Sequence, residues 1–349
     1  MVVHPKHIQQ VLKQYGLYSD HALQIGEVYK IITPRGSFML HALKSGDEAG
    51  FLEALAVLDR HRIAHLPIYF TLDGTPFAKT EGGSYYLTPW IEENVRHPYE
   101  KWERIIAKLA VLHRKTKTAL PSGAAYERPD VRFDIMEIFM DKAEHRVYPS
   151  PFEQRIFLLY SRIRGDAERA ESLFAEGQDA EGQAVSFCMR RVSCAHVIVY
   201  NGETYFLDFT QAEWRSPVSD LADFFRAEKL SSEWMIRLYG QYQTVNPLSR
   251  EEKKALLANL LFPTPFLKLI ASYQSQSPVR ELKFITDLHV LCERRQDWQA
   301  FFSFLEKDIA ESDPALQETN VEADQDDQND DIESRRPENS TNHLENGKR

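Results

Sequence analysis

Between residues 99 and 116 apolar side chains recur at steps of three and four. Trp102, Ile105, Ile106, Leu109 and Leu112 share one face of KWERIIAKLAVLHRKT, the spacing of an amphipathic helix. The same period predicts helices over 5–15, ending at Gly16, and over 47–62, where Phe51, Leu52, Leu55 and Leu58 align. It returns at 134–147, 151–176, 218–229, 231–242, 250–261, 264–274 and 278–307. Elsewhere the pattern is that of short strands between turn residues. VYKIIT and SFMLHAL flank a Pro-Arg-Gly turn, and PIYFTL, PFAKTE and SYYLTPWI are separated by Asp73-Gly74 and Gly82-Gly83. A last hairpin, Val197–Tyr200 with Tyr205–Phe209, turns at Asn201-Gly202, a pair suited to positive φ.

Strands around one helix, then long helices interrupted by one hairpin, predict an α+β chain of two lobes. The expected division is a β-rich lobe at 1–92, a mostly helical lobe at 93–310 and a tail at 311–349. The tail holds 12 acidic and 4 basic residues, a net of −8 within a chain total of −10, so the remaining residues are nearly neutral. That balance gives no general attraction to nucleic acid. The tail's charge and lack of aromatics predict a disordered segment, either a solubilising extension or an arm for a basic partner.

The three cysteines, Cys188, Cys194 and Cys292, are too few and odd in number for a disulfide framework. Cys188, Cys194 and His196 lie close in sequence but match no common zinc spacing. The first residues lack the apolar run of a signal peptide, and no run reaches the roughly 18 apolar residues of a membrane span. A soluble product made in the cytoplasm is expected.

GGSYYLTPWIEE resembles the strand and hinge joining the lobes of aminoglycoside and choline kinase relatives. LAVLHRKT, with Leu109, Ala110 and His113, is similar to their helix ahead of the active site, and LDFTQAEWRSPVSDLADFF to their metal-binding aspartate with its following Asp-Leu-Ala element. Within that superfamily the chain resembles CotS-type spore coat proteins, especially the YsxE-like branch, over residues 5–307. IFLLYSRIRGDAERAESLF and LLFPTPFLKLIASY fit the same branch. The resemblance implies a protein-kinase-like, aminoglycoside phosphotransferase-like fold, other coat proteins as partners, and a place in the spore coat after synthesis in the mother cell.

Phosphoryl transfer needs a cation to position the nucleotide, metal ligands and a carboxylate near the attacking hydroxyl. The family's catalytic loop reads roughly His-Gly-Asp, four residues, then Asn. Set against Val197-Ile198-Val199, Arg191 takes the base position, His196 the asparagine position and Met189 that of the first histidine. Arginine stays protonated and cannot act as a base, and imidazole is a poor partner for Mg²⁺. Asp208 is the metal candidate, or else the cap of the turn after its strand; Thr210 replaces a second acid. Asp220 is expected to brace the loop, or to begin a helix with Ser219.

In the nucleotide cleft His41 occupies the expected lysine position. Lys44 follows as a substitute or a solvated turn residue, with Glu48 and Glu53 as possible ion-pair partners. Tyr86, with Tyr85 and Trp90, offers an adenine wall or simply core packing, and the single glycine of IGEVYK is a weak phosphate cradle. His113 reads equally well as a core residue. The expectation is a catalytically inactive coat protein with no cofactor. The alternatives are an active small-molecule kinase using ATP and Mg²⁺, which needs a carboxylate such as Glu213 or Asp223 in the cleft, and a pseudokinase that still binds a ligand.

Overall fold

A computed structural model describes residues 6–19, 21–43, 47–95, 97–119, 132–178, 184–273 and 278–312. Helix α1 (Lys6–Gln14) ends where Gly16 takes φ 66°, a left-handed stop natural to glycine. Strands β1 (His21–Ile25), β2 (Val28–Thr33) and β3 (Gly36–Leu43) follow, then α2 (Glu48–Arg60), β4 (Ala78–Thr80) and β5 (Gly83–Pro89). They form an antiparallel sheet in the order β1-β2-β3-β5-β4. Alternation gives the sheet two distinct faces. Ile31, Phe38, Leu40 and Leu87 pack with Ile8, Val11 and Leu12 of α1. The other face carries His41 and Tyr86, which are direct partners across β3 and β5.

The helical region contains α3 (Pro98–Thr116), β6 (Thr118–Ala119), α4 (Asp134–Glu144) and α5 (Pro151–Gln178). Next come β7 (Ala184–Cys188), the hairpin β8 (Val197–Tyr200) and β9 (Glu203–Phe206), and β10 (Glu213–Arg215). Helices α6 (Val218–Ala227), α7 (Ser232–Val245), α8 (Arg250–Leu261), α9 (Thr264–Ser272), α10 (Pro278–Asp297) and α11 (Gln299–Glu311) complete the described chain. The main core is continuous across both regions. Phe51, Ala54 and Leu58 of α2 belong to the same buried cluster as Ile105 and Leu109 of α3 and Phe224 of α6.

Several expectations change. PIYFTL is not a strand: only Tyr69 bridges to Leu87, and the chain then folds back as Thr71 bonds Thr75. The hairpin's second strand ends at Phe206 rather than Phe209. The helix expected over 278–307 is two helices, divided at Trp298 where the Asp297 carbonyl accepts the Ser232 hydroxyl. The stretch Arg250–Ser272 has the length and hydropathy of a membrane span by composition. It is divided between α8 and α9, and Leu256, Leu257, Leu260 and Leu267 lie in the core. The expected tail falls, from residue 313 on, outside the described residues.

Candidate functional site

The segment after β7 is held from below by one carboxylate. Asp220, in the first turn of α6 and fully buried, accepts the Met189 N–H at 2.7 Å and the Arg190 N–H at 2.9 Å. Its Oδ2 also lies 3.2 Å from His113 Nε2, and His113 Nδ1 lies 2.7 Å from the Tyr242 hydroxyl. That hydroxyl accepts from Asn246 Nδ2 at 2.8 Å. With Nε2 donating to Asp220 and Nδ1 accepting from the Tyr242 hydroxyl, every contact of His113 is satisfied. Asp220 therefore does what a brace requires, and His113 is its buried support.

Held this way, Arg190 adopts φ 64°. A left-handed conformation at a residue with a Cβ costs about 1–2 kcal/mol, which the two N–H bonds to Asp220 offset. The loop keeps a glycine-like bend without a glycine. Arg190 Nε approaches Glu213 at 3.2 Å, and Arg215 Nε approaches the same carboxylate at 3.3 Å. Arg191, expected at the base position, points across the cleft: its Nη1 is 3.3 Å from Glu27 Oε2, at the turn between β1 and β2. Glu27 is not among the expected site residues, although it adjoins Gly26, the single glycine of the weak cradle.

Asp208 follows β9. Its Oδ1 accepts the Thr210 N–H at 2.9 Å and the Thr210 hydroxyl at 2.7 Å, the geometry of a turn cap. Phe209 next to it stacks on Phe51 of α2, with centroids 4.7 Å apart. His196 Nδ1 lies 3.1 Å from the Ser193 hydroxyl, inside a single 3₁₀ turn, Cys194–His196.

Above the cleft, His41 is buried and its Nε2 lies 3.1 Å from the Thr88 hydroxyl. Its ring stacks on Tyr86 at 4.3 Å with an interplanar angle of 5°. Burial lowers its pKa to about 4, against the opposing pull of the Asp208 charge. Tyr86 donates to the Leu207 carbonyl at 3.2 Å, and burial above all raises its pKa. His41, Tyr86 and Asp208 thus come together. Tyr85 does not join them: alternation turns it to the other face, beside His7 of α1. Trp90 lies on the hinge with Lys30 Nζ 4.4 Å from its ring centroid.

The expected ion-pair helix residues are elsewhere. Glu48 receives Lys79 Nζ at 2.8 Å and the Ser84 hydroxyl, and both contacts lower its pKa. Glu53 is exposed, and Lys44 lies outside the described residues. The carboxylates considered as replacement bases are both beside arginines. Glu213 faces Arg190 and Arg215, and Asp223 lies 3.1 Å from Arg226, its pKa raised by burial.

Cysteines offer no better metal site. Cys188 comes near His113 and Asp220, not Cys194 and His196, with ligand atoms within 4.8 Å of one another. Those atoms already serve the brace, and the Cys188 thiol donates to the Ser216 carbonyl. Its pKa is raised by burial, which opposes the thiolate a metal would need.

Residues 8–305 match the family described as "Spore coat putative kinase YutH". No curated protein matches the chain. Among solved structures, the chain is similar to an aminoglycoside phosphotransferase from Alicyclobacillus acidocaldarius, with TM-score 0.71 and 16% identity over 89% of this chain and 98% of the other. The AMP-bound spectinomycin phosphotransferase APH(9)-Ia gives 0.57 and 13% over 82% and 95%. A microcompartment-associated aminopropanol kinase gives 0.55 and 14% over 82% and 94%. The fold is therefore aminoglycoside phosphotransferase-like, as the order of motifs implied.

Proposed function

The chain belongs to the YutH spore coat family, and we propose that it is a kinase-shaped component of the endospore coat that transfers no phosphate. The carrying observation is Arg191: a permanent cation stands at the position of the catalytic base and faces the acid Glu27. Coat localisation is read from the family's description, coat-protein partners are part of the proposal that follows from it, and the inactive site rests on the residues.

The residues present do not fit a magnesium nucleotide. The expected phosphate-pairing cation is His41, which burial keeps neutral down to about pH 4 and which already contacts Thr88. The turn that would cradle phosphate carries the negative Glu27. Mg²⁺ prefers oxygen ligands, yet the asparagine position holds imidazole, and one oxygen of Asp208 already accepts two bonds from Thr210. A base brought from Glu213 or Asp223 is disfavoured by their arginine neighbours.

The test is an ATP turnover assay on the purified full chain with Mg²⁺ or Mn²⁺, beside thermal melting with ATP and ADP. No turnover above background and no metal-dependent shift are expected. Turnover abolished by Asp208→Ala would overturn the reading.

A further inference from the structure

Two helix junctions meet around a small cavity in the helical region. At the first, α8 ends at Leu261 because Phe262 precedes Pro263, which pushes it out of helical geometry to ψ 124°. Pro265 then stands in the first turn of α9. At the second, α10 gives way to α11 at Trp298. The cavity between them measures about 40 Å³, and its apolar wall includes Phe262, Pro263, Phe266 and Leu291. Asp166, Arg226, Arg294, Arg295 and Trp298 complete it.

Most of the charge in this wall is balanced. Arg295 holds Asp166 bidentately, its Nε and Nη2 at 2.8 and 2.7 Å from the two oxygens. Arg226 pairs with Asp223 at 3.1 Å and donates to the Asn259 carbonyl. Arg294 differs. It is half-buried, pairs with no carboxylate among the described residues, and donates to the Glu228 carbonyl. The Glu228 carboxylate is engaged elsewhere, by the Cys194 N–H at 2.7 Å and Trp102 Nε1 at 3.1 Å. Burial lowers the pKa of Arg294, against the pull of the Glu228 charge. Its guanidinium carbon lies 5.4 Å from the ring centroid of Trp298. Trp298 is 5% exposed, and its buried Nε1–H has no acceptor among the described residues. Buried polar groups are normally hydrogen-bonded, so this cation and this N–H, in one wall, call for a shared acceptor.

We propose that the cavity binds a small monocarboxylate, its oxygens accepting from Arg294 and the Trp298 N–H and its short apolar end packing on Pro263 and Phe266. The charge left over at Arg294 matches a monoanion, and two oxygens match two donor groups. Phosphate would bring more charge and more oxygens than the wall has donors to meet. Size agrees as well. A water needs about 10–15 Å³ on this scale, so the cavity takes roughly three such volumes, the size of acetate. Pro265, Leu291 and Arg294 are only partly buried, which opens the cavity to solvent on their side. The wall contains none of His41, Arg191, Asp208 or Glu27, so the inference stands apart from the reading of the cleft.

The experiment is titration of the full chain, labelled with ¹⁵N-tryptophan, with sodium acetate at pH 7. Sodium chloride at equal ionic strength and sodium phosphate are the controls. NMR reads the indole N–H resonances of the five tryptophans. Saturable movement of the Trp298 resonance is expected at about millimolar acetate, the range open to so small a ligand, and none with chloride or phosphate. Its loss in Trp298→Phe identifies that resonance; if the variant does not fold, Phe replacements of the other four identify it by elimination. Arg294→Gln can still donate to the Glu228 carbonyl and should keep the melting temperature. It should weaken acetate at least about tenfold, the loss expected on removing a charged donor. A Trp298 resonance unmoved by acetate, moved equally by chloride, moved by phosphate alone, or moved by acetate just as well in Arg294→Gln would overturn the proposal.

Discussion

Arg191 and Glu27 are 164 positions apart in sequence, yet their side chains meet at 3.3 Å across the cleft. The pair joins the loop after β7 to the turn between β1 and β2. Both side chains are exposed, 41% and 75%, so solvent screens them. An exposed pair of this kind contributes about 0–1 kcal/mol. A double-mutant cycle of Arg191→Ala and Glu27→Ala, read by urea unfolding, should give a coupling below ~1 kcal/mol that fades with salt. A coupling well above that would mean the pair locks the two segments together.

Asp220 is the opposite case, buried and shared among three donors. Asp220→Ala leaves the Met189 and Arg190 N–H groups without their acceptor and should cost about 3–5 kcal/mol. Asp220→Asn keeps one accepting oxygen but turns an N–H against a donor, so its loss should be smaller. The urea midpoints of the two variants measure this. A loss below ~1 kcal/mol for Asp220→Ala would mean that the loop is held by other contacts.

How far this was readable differs from element to element. The 3.6-residue period located α3 and α8 because each buries a broad apolar stripe, and Asn201-Gly202 gave the hairpin because its φ values of 50° and 82° suit those residues. Strands β1, β7 and β10 were not read: HALQI, AVSFC and EWR are short and lack sustained alternation, so only their partners make them strands. At the site, the sequence shows Met189, Arg191, His196 and His41 as residue types. What each contacts instead, such as Thr88 for His41 or Glu27 for Arg191, is set by long-range packing.

Phe51 shows how firmly the two regions are joined. Its ring contacts Phe77, Tyr86 and Phe209 with centroids at 5.5, 4.5 and 4.7 Å, and it is fully buried. Truncating such a ring costs about 3–5 kcal/mol. Phe51→Ala should therefore destabilise by that amount, and Phe209→Ala should add to it less than fully, because the two rings share one contact. Denaturant melts followed by tryptophan fluorescence and by circular dichroism should coincide, since the core runs through both regions. Separate transitions would mean that α2 and the sheet unfold apart from the helices.

His41 gives the protein an acid sensitivity whose sign follows from its burial. In the folded chain the imidazole pKa falls from 6.5 to about 4, chiefly because burial disfavours the cation; the nearby Asp208 charge acts the other way. Above pH ~6.5 the ring is neutral folded or unfolded and contributes no pH dependence. Between ~6.5 and ~4 the unfolded chain takes up a proton that the folded chain refuses, so stability declines as pH falls. Below ~4 both states are protonated and the loss levels off, approaching ~3 kcal/mol. His41→Gln keeps a partner for Thr88 without the titration, and should flatten the fall in stability across that window. Asp208→Asn removes the charge that favours the imidazolium, and should deepen it. Urea unfolding of the three proteins at pH 4.5, 5.5 and 7 separates these effects; an unchanged slope in His41→Gln would assign the acid sensitivity to other groups.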